Sequence, residues 1–230
     1  MYTVGIVGRA YKNKDGQGII QTHEATRKFL ASQENVVCIT ILPTENKDYF
    51  DEIEPGKDKI DTNKLDYILN KCDAFIVPGG TYGYNLDEYV IKHAIKDDKP
   101  LLAICLGFQI MCSMFAKNRT CFDMTKRLDS EKHMGKAREY VHKVKINDHT
   151  KLREIIGKDE IQVNSVHHDV VNFEMNTLKI NAISDDGIVE GVEYPNKKFI
   201  IGLQWHPEYL NDENSKKLIN YYIKNIERKN

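Results

Sequence analysis

The sequence predicts an α/β protein: a doubly wound, mostly parallel central sheet with helices on both faces and a small additional β element in the second half. Three observations carry this. Short, continuously apolar runs recur through the first half, as parallel strands buried on both faces require. Segments with apolar residues at helical spacing separate them. From about residue 140 the pattern changes to short strands punctuated by Asn, Asp, Gly and Pro.

In order, "YTVGIV" (2–7) reads as a strand and "IIQTHEATRKFLAS" (19–32) as a helix, with Ile20, Ala25, Phe29 and Leu30 on one face. "NVVCITIL" (35–42) is a buried strand stopped by Pro43. "NKLDYILNKC" (63–72) is helical, "DAFIVPGG" (73–80) a strand ending in Pro-Gly-Gly, and "DEYVIKHAIKDD" (87–98) a helix. "PLLAI" (100–104) is the next strand and "GFQIMCSMFAK" (107–117) the next helix. "YVHKVKI", "EIQVNSV", "VVNF", "TLKINAIS", "IVEGVEY" and "KFIIGLQWH" follow as strands, and a terminal amphipathic helix starts at about 213. No repeat, low-complexity tract or linker interrupts the chain, so residues 1–230 read as a single domain. The charged segments 44–62 and 117–139 read as long loops.

Lys+Arg 33 against Asp+Glu 34 leaves a net charge of -1, which supplies no field for nucleic acid or an anionic membrane. It permits a homo-oligomer without requiring one. No apolar run is long enough to span a bilayer, and the N-terminus has no signal-peptide pattern. The five cysteines (38, 72, 105, 112 and 121) include no CxxC pair. They read as free thiols of a reducing compartment, and the expected location is cytoplasmic.

Chemistry concentrates in "AICLGFQ" (103–109). A thiol between a strand and a helix, with small residues two before (Ala103) and two after (Gly107), has the pattern of a nucleophile elbow. A helix N-terminus favours thiolate over thiol there, and the Leu106 amide points at an oxyanion formed on an attacked carbonyl. A buried core cysteine is the competing reading. The second half of the chemistry lies 101 residues on, in "WHPE". His206 supplies a proton acceptor and donor for a thiolate, and Glu208 supplies the group that fixes its tautomer. A zinc-deaminase reading of His-x-Glu needs a downstream P-C-x-x-C, and no cysteine follows His206. A plain surface histidine stays open for His206 taken alone.

Together "AICLGFQ", "VPGG" (77–80) and "WHPE" resemble the triad-type class I glutamine amidotransferases, whose fold is flavodoxin-like. "VNSVHHDVV" (163–171), "DDGIVEGVEY" (185–194) and "GLQWHPEY" (202–209) look more specifically like the C26 cysteine peptidase branch that contains γ-glutamyl-GABA hydrolase. Ala103 departs from that family's commoner glycine, and His168-Asp169 from its His-Gln or Gly-Gln. The resemblance implies Cys105, His206 and Glu208 as the catalytic triad, with Gly80 and Leu106 supplying the oxyanion-hole amides. It implies Gln109, the Ser165-Val166 backbone and His167 as substrate contacts, and neither cofactor nor metal. The substrate is then a small-molecule γ-glutamyl compound or glutamine.

The favoured expectation is a stand-alone hydrolase that releases glutamate and an amine through a γ-glutamyl thioester. The alternative is a glutaminase subunit supplying ammonia to a separate synthetase partner, a reading favoured by Leu106 and by the short loop after Gly80. A non-catalytic binding protein on the same scaffold is disfavoured by the intact triad. Loops 9–18, 44–62, 81–86 and 117–139 are expected to select the leaving group.

Other signals are weaker. "GIVG" (5–8) lacks the rest of a dinucleotide fingerprint. His167, His168, His133 and His142 have no diagnostic metal-ligand spacing and read as polar loop histidines. Cys112 reads as core packing. Tyr82 and Tyr84 read either as pocket lining or as cover for apolar surface.

Overall fold

The computed structural model describes residues 1–47, 49, 52–117, 125–127, 131–172 and 174–226. Cys121 and parts of the two long charged segments lie outside the described residues. Five strands form the parallel part of the sheet, in the order β4 (Val36–Ile41), β1 (Tyr2–Val7), β5 (Ala74–Val77), β6 (Leu101–Ile104) and β13 (Ile200–Leu203). All residues of β5, β6 and β13 are buried, the physical meaning of their uninterrupted apolar runs. Side chains alternate between two cores. Ile76, Leu102, Ile104, Ile201 and Leu203 enter one; Phe75, Val77, Leu101, Ala103 and Ile200 enter the other.

The first core is closed by α1 (Glu24–Ala31), α5 (Lys151–Ile156) and α7 (Glu213–Lys224), through Phe29, Leu30, Leu152, Ile156, Leu218 and Tyr222. The second is closed by α2 (Thr62–Leu69), α3 (Asn85–Asp97) and α4 (Leu106–Met114), through Leu65, Leu69, Val90, Ile91, Phe108 and Met111. Each such side chain stabilises the fold by roughly 1.5–3 kcal/mol when fully buried. The terminal helix docks as its amphipathic pattern predicts, and Tyr222, buried on it, donates its hydroxyl to Phe75 O at 2.9 Å. The starts of α2 and α7 carry side-chain caps: Asp61 accepts from Lys64 N and Asp212 from Ser215 N.

The antiparallel strands of the second half extend the same sheet. β12 (Val189–Glu193) pairs with β13 and is followed by β11 (Lys179–Ser184), β8 (His142–Ile146) and β9 (Glu160–Val163). β10 (Asp169–Val171) bridges β12 and β7 (Thr125–Arg127) off this path. Among the described residues no helix is long and apolar enough to cross a membrane.

The helix expected over 19–32 needs correction. Residues Gly18–Gln21 form β3, paired with β2 (Arg9–Lys12) in a hairpin, and the helix begins at Glu24. Asn13 makes the turn, its side-chain oxygen accepting from Asp15 N and Gln17 N. Ile20 therefore packs as a strand residue, although its spacing to Ala25 and Phe29 also fits a helix. Helix α5 is too short for its periodicity to register. It is set by the Thr150 cap, which accepts from Arg153 N, and by Gly157 at φ 69°.

Candidate active site

Cys105 stands where β6 ends and α4 begins, at φ 51° and ψ −107°. A non-glycine residue held at positive φ costs about 1–3 kcal/mol, a strain that persists only where the surroundings enforce it. Here Cys105 N donates to Leu203 O at 2.8 Å, and Gln109 N donates to Cys105 O at 3.0 Å. The turn explains Gly107: a Cβ there would lie 2.1 Å from the Val77 carbonyl oxygen, so only glycine lets α4 start so close to β5.

His206 follows β13 and precedes α6 (Pro207–Leu210). Its backbone is clamped by Asn164, whose Oδ1 accepts from His206 N at 2.9 Å while its Nδ2 donates to His206 O at 2.8 Å. Proline at the first helical position fixes the turn, and His206 Nδ1 lies 2.8 Å from Glu208 Oε1. The other edge of the ring faces Cys105 across Gly79. A Cβ at Gly79 would come within 2.8 Å of His206 Cε1 and 3.3 Å of Cys105 Cβ. The bare backbone at 79 is what allows imidazole and thiol to face one another.

All three side chains are buried. Burial alone would lower the His206 pKa; the Glu208 carboxylate and Cys105 outweigh it and hold the imidazole well above its ordinary value. Tyr209 sets its ring edge-on to His206 at 5.8 Å and places its hydroxyl 3.4 Å from His23 Nδ1.

Leu106 is the first residue of α4, so its N–H has no acceptor within the helix. The Gly79-Gly80 turn is held by Arg9, a buried residue that sequence reasoning placed only in a leaving-group loop. Its Nε donates to Gly79 O at 3.1 Å, one terminal nitrogen donates to Pro78 O, and the other pairs with Asp87. Asp87 in turn accepts from Tyr84 N at 2.8 Å. A guanidinium fork reaching two successive carbonyls fixes the orientation of the peptide planes between them. Nothing in the sequence flags Arg9, because its partners lie about seventy positions away. Asn164 was visible only as part of "VNSV".

Gln109, half-buried one turn along α4, donates through Nε2 to Asp169 O at 3.1 Å and Gln204 Oε1 at 3.0 Å. Ser165 is buried, and its carbonyl accepts from Gly135 N at 2.8 Å. Val166 pairs with Met134. The His167 ring is turned into a buried cluster with His133, His142 and Glu190. Of the two tyrosines, Tyr82 is exposed, whereas Tyr84 is buried and donates its hydroxyl to Tyr49 O at 2.8 Å. Cys112 is buried, and burial pushes its thiol pKa well up, as suits core packing.

The family model for peptidase C26 matches residues 83–208, more than half of the chain and a span that contains Cys105, His206 and Glu208. The chain belongs to the peptidase C26 family. This C26 chain is 33% identical over 212 residues to a glutamine amidotransferase-like protein of Rickettsia prowazekii, covering 66% of the chain and 75% of that protein. It is 29% identical over 192 residues to the CTP synthase of Thermotoga maritima, covering 69% of the chain but only 36% of that enzyme. The fold matches the glutaminase domain of Trypanosoma brucei CTPS, solved with bound acivicin. That match has a TM-score of 0.67 and 18% identity, over 98% of this chain and 92% of that one. The C26 chain is thus an enzyme of the glutamine amidotransferase and C26 hydrolase type, with the class I amidotransferase fold.

Proposed function

We propose that the protein hydrolyses a γ-glutamyl amide bond, with Cys105 as nucleophile, His206 as acid and base, and Glu208 as the group that orients and charge-balances the imidazolium. The observation that carries this is the meeting of Cys105 and His206 across the bare backbone of Gly79, with Glu208 on the far nitrogen of the ring. The Cys105 sulfur attacks the δ-carbonyl carbon, and the amides of Leu106 and Gly80 hold the resulting oxyanion. His206 gives its proton to the departing nitrogen, leaving a γ-glutamyl thioester. It then takes a proton from the water that attacks the thioester, which releases glutamate and restores the thiol–imidazole pair. Gln109 and the backbone of Ser165 and Val166 bind the glutamyl portion, and His167 supports that loop from beneath.

The amide is that of a free γ-glutamyl amine, and the protein acts alone in the cytoplasm. A second reading has a specific observation behind it. The similarity in sequence and fold to CTP synthases and to a CTPS glutaminase domain fits a subunit that delivers ammonia from glutamine to a synthetase. Glutamate release by the purified chain separates the two, measured on glutamine and a panel of γ-glutamyl amines with Cys105→Ala as control. Turnover of a γ-glutamyl amine well above that of glutamine supports the hydrolase. Turnover of glutamine alone supports the subunit, and no turnover of either removes the stand-alone hydrolase.

A further inference from the structure

We propose that His133, His142, His167 and Glu190 form a closed, four-ligand site for a divalent transition metal of zinc's chemistry. The four arrive from separate segments: the single helical turn Glu131–His133, the start of β8, the loop after β9, and β12. Their spacing in sequence gives no metal-binding pattern, and only the fold gathers them. Their ligating atoms all lie within 4.8 Å of one another.

Four of the six separations are close to those of a coordination shell. His133 Nδ1 lies 3.2 Å from His167 Nε2 and 3.2 Å from Glu190 Oε1. Glu190 Oε1 is 3.5 Å from His167 Nε2 and 3.7 Å from His142 Nε2. A tetrahedron with zinc–ligand bonds of about 2.0–2.1 Å has edges of roughly 3.3–3.4 Å. Small side-chain adjustments bring the four onto one ion.

The outer nitrogens set the tautomers. His142 Nδ1 lies 3.2 Å from Lys143 O, and His167 Nδ1 lies 3.0 Å from Asp169 O. A carbonyl oxygen only accepts, so both Nδ1 atoms carry hydrogen, and in the neutral rings both Nε2 atoms turn a lone pair inward. His133 Nε2 faces the Asp186 carboxylate at 3.1 Å, which leaves its Nδ1 lone pair inward as well. With the rings neutral, three nitrogen lone pairs and a carboxylate oxygen then converge, and the Ser165 hydroxyl, 3.4 Å from His133 Nδ1, is the donor beside them. Such an arrangement repels itself unless a proton or a metal ion sits between. A carbonyl or carboxylate behind each imidazole is also the usual outer shell of a metal-bound histidine.

Burial strengthens the case. Glu190 is fully buried, and neither of its carboxylate oxygens has a hydrogen-bond donor; His142 Nε2 is likewise buried and unpartnered. Isolated buried carboxylates are costly, and a bound divalent ion removes that cost for all four groups at once. Imidazole and carboxylate ligands without a thiolate suit zinc among the abundant ions. Four protein ligands in a buried setting mark a structural site rather than one with an open position for chemistry. The ion would fasten the 164–168 loop to β8 and β12. That loop carries Asn164, which clamps the His206 backbone, so the site would also steady the active site from a distance.

The test uses the full chain, stripped with a strong chelator and titrated with Zn(II), and with Co(II) as a visible probe. The expected result is roughly one equivalent bound per chain, a higher Tm with metal, and the absorption of four-coordinate Co(II). His142→Ala and Glu190→Gln should each abolish stoichiometric binding, and Asp186→Asn should weaken it about 10–100-fold. His142 is the safer variant for folding, since its ring is the most accessible of the four; near-ultraviolet circular dichroism checks each one. Failure of the folded wild-type chain to bind Zn(II) would overturn the proposal. So would stoichiometric binding that persists in both ligand variants. Neither readout depends on turnover, so the site stands or falls apart from the hydrolase reading.

Discussion

Arg9 and Asp87, far apart in sequence, pair in the protein interior, and the same guanidinium grips the carbonyls of Pro78 and Gly79. The pair sits beneath the turn that presents the Gly80 amide, so the ion pair and the geometry of that amide are mechanically linked. Arg9→Lys keeps the charge but loses the fork. It should lower kcat by about 10–100-fold, the effect of misplacing the oxyanion donor proposed at Gly80, while KM changes little. Arg9→Met leaves Asp87 buried without its partner and should cost about 3–5 kcal/mol of stability in urea unfolding.

Gly107→Ala tests the elbow's packing without touching a chemical group. The new Cβ would meet the Val77 carbonyl, which belongs to a central strand and cannot move aside. A loss of about 3 kcal/mol, the upper end for overpacking, is expected from denaturant unfolding. An effect within experimental error would show that α4 can shift away from β5.

Cys105→Gly should separate stability from activity. Glycine adopts positive φ without strain, so relief at φ 51° should outweigh the extra flexibility of the unfolded chain. The variant should be more stable by about 1 kcal/mol and have no measurable glutamate release. Thermal unfolding of Cys105→Ala, which keeps the strain, provides the comparison.

Glu208→Gln addresses the pH dependence. The His206 pKa is raised in the folded protein, so its contribution to stability is fully present below the ordinary imidazole value of 6.5. That contribution is lost as pH rises through the folded value. The glutamine variant removes the strongest of the raising influences. The alkaline limb of its kcat/KM profile, and the loss of stability on raising pH, should both move to lower pH. Its kcat should fall on the order of 10⁴-fold, because the imidazole loses both its tautomer control and its counter-charge. An unchanged alkaline limb would assign that limb to another group.

Much of the scaffold is legible in the chain. β5, β6 and β13 appear as continuous apolar runs because both their faces are buried, and apolar runs can be read directly. The small residue two after Cys105 is legible because a tight turn demands it locally. The hairpin of β2 and β3 is not, since Ile20 satisfies strand and helix spacing alike and its pairing with Ala10 decides. The continuation of the sheet through β12, β11, β8 and β9 also depends on pairings between distant segments.

At the active site, the sequence by itself determined the elements whose causes are local: a thiol at a strand-to-helix junction, glycine two residues on, and a His-Pro-Glu turn after the last strand. Only the tertiary structure decided what those groups touch. It brought Arg9 under the Gly79 turn, Asn164 onto the His206 backbone, and three histidines from three segments onto one buried glutamate. Periodicity and turn chemistry act over a few residues and leave a trace in the order of the chain. Contacts between distant segments depend on the closed sheet, and no local pattern records which side chains it will bring together.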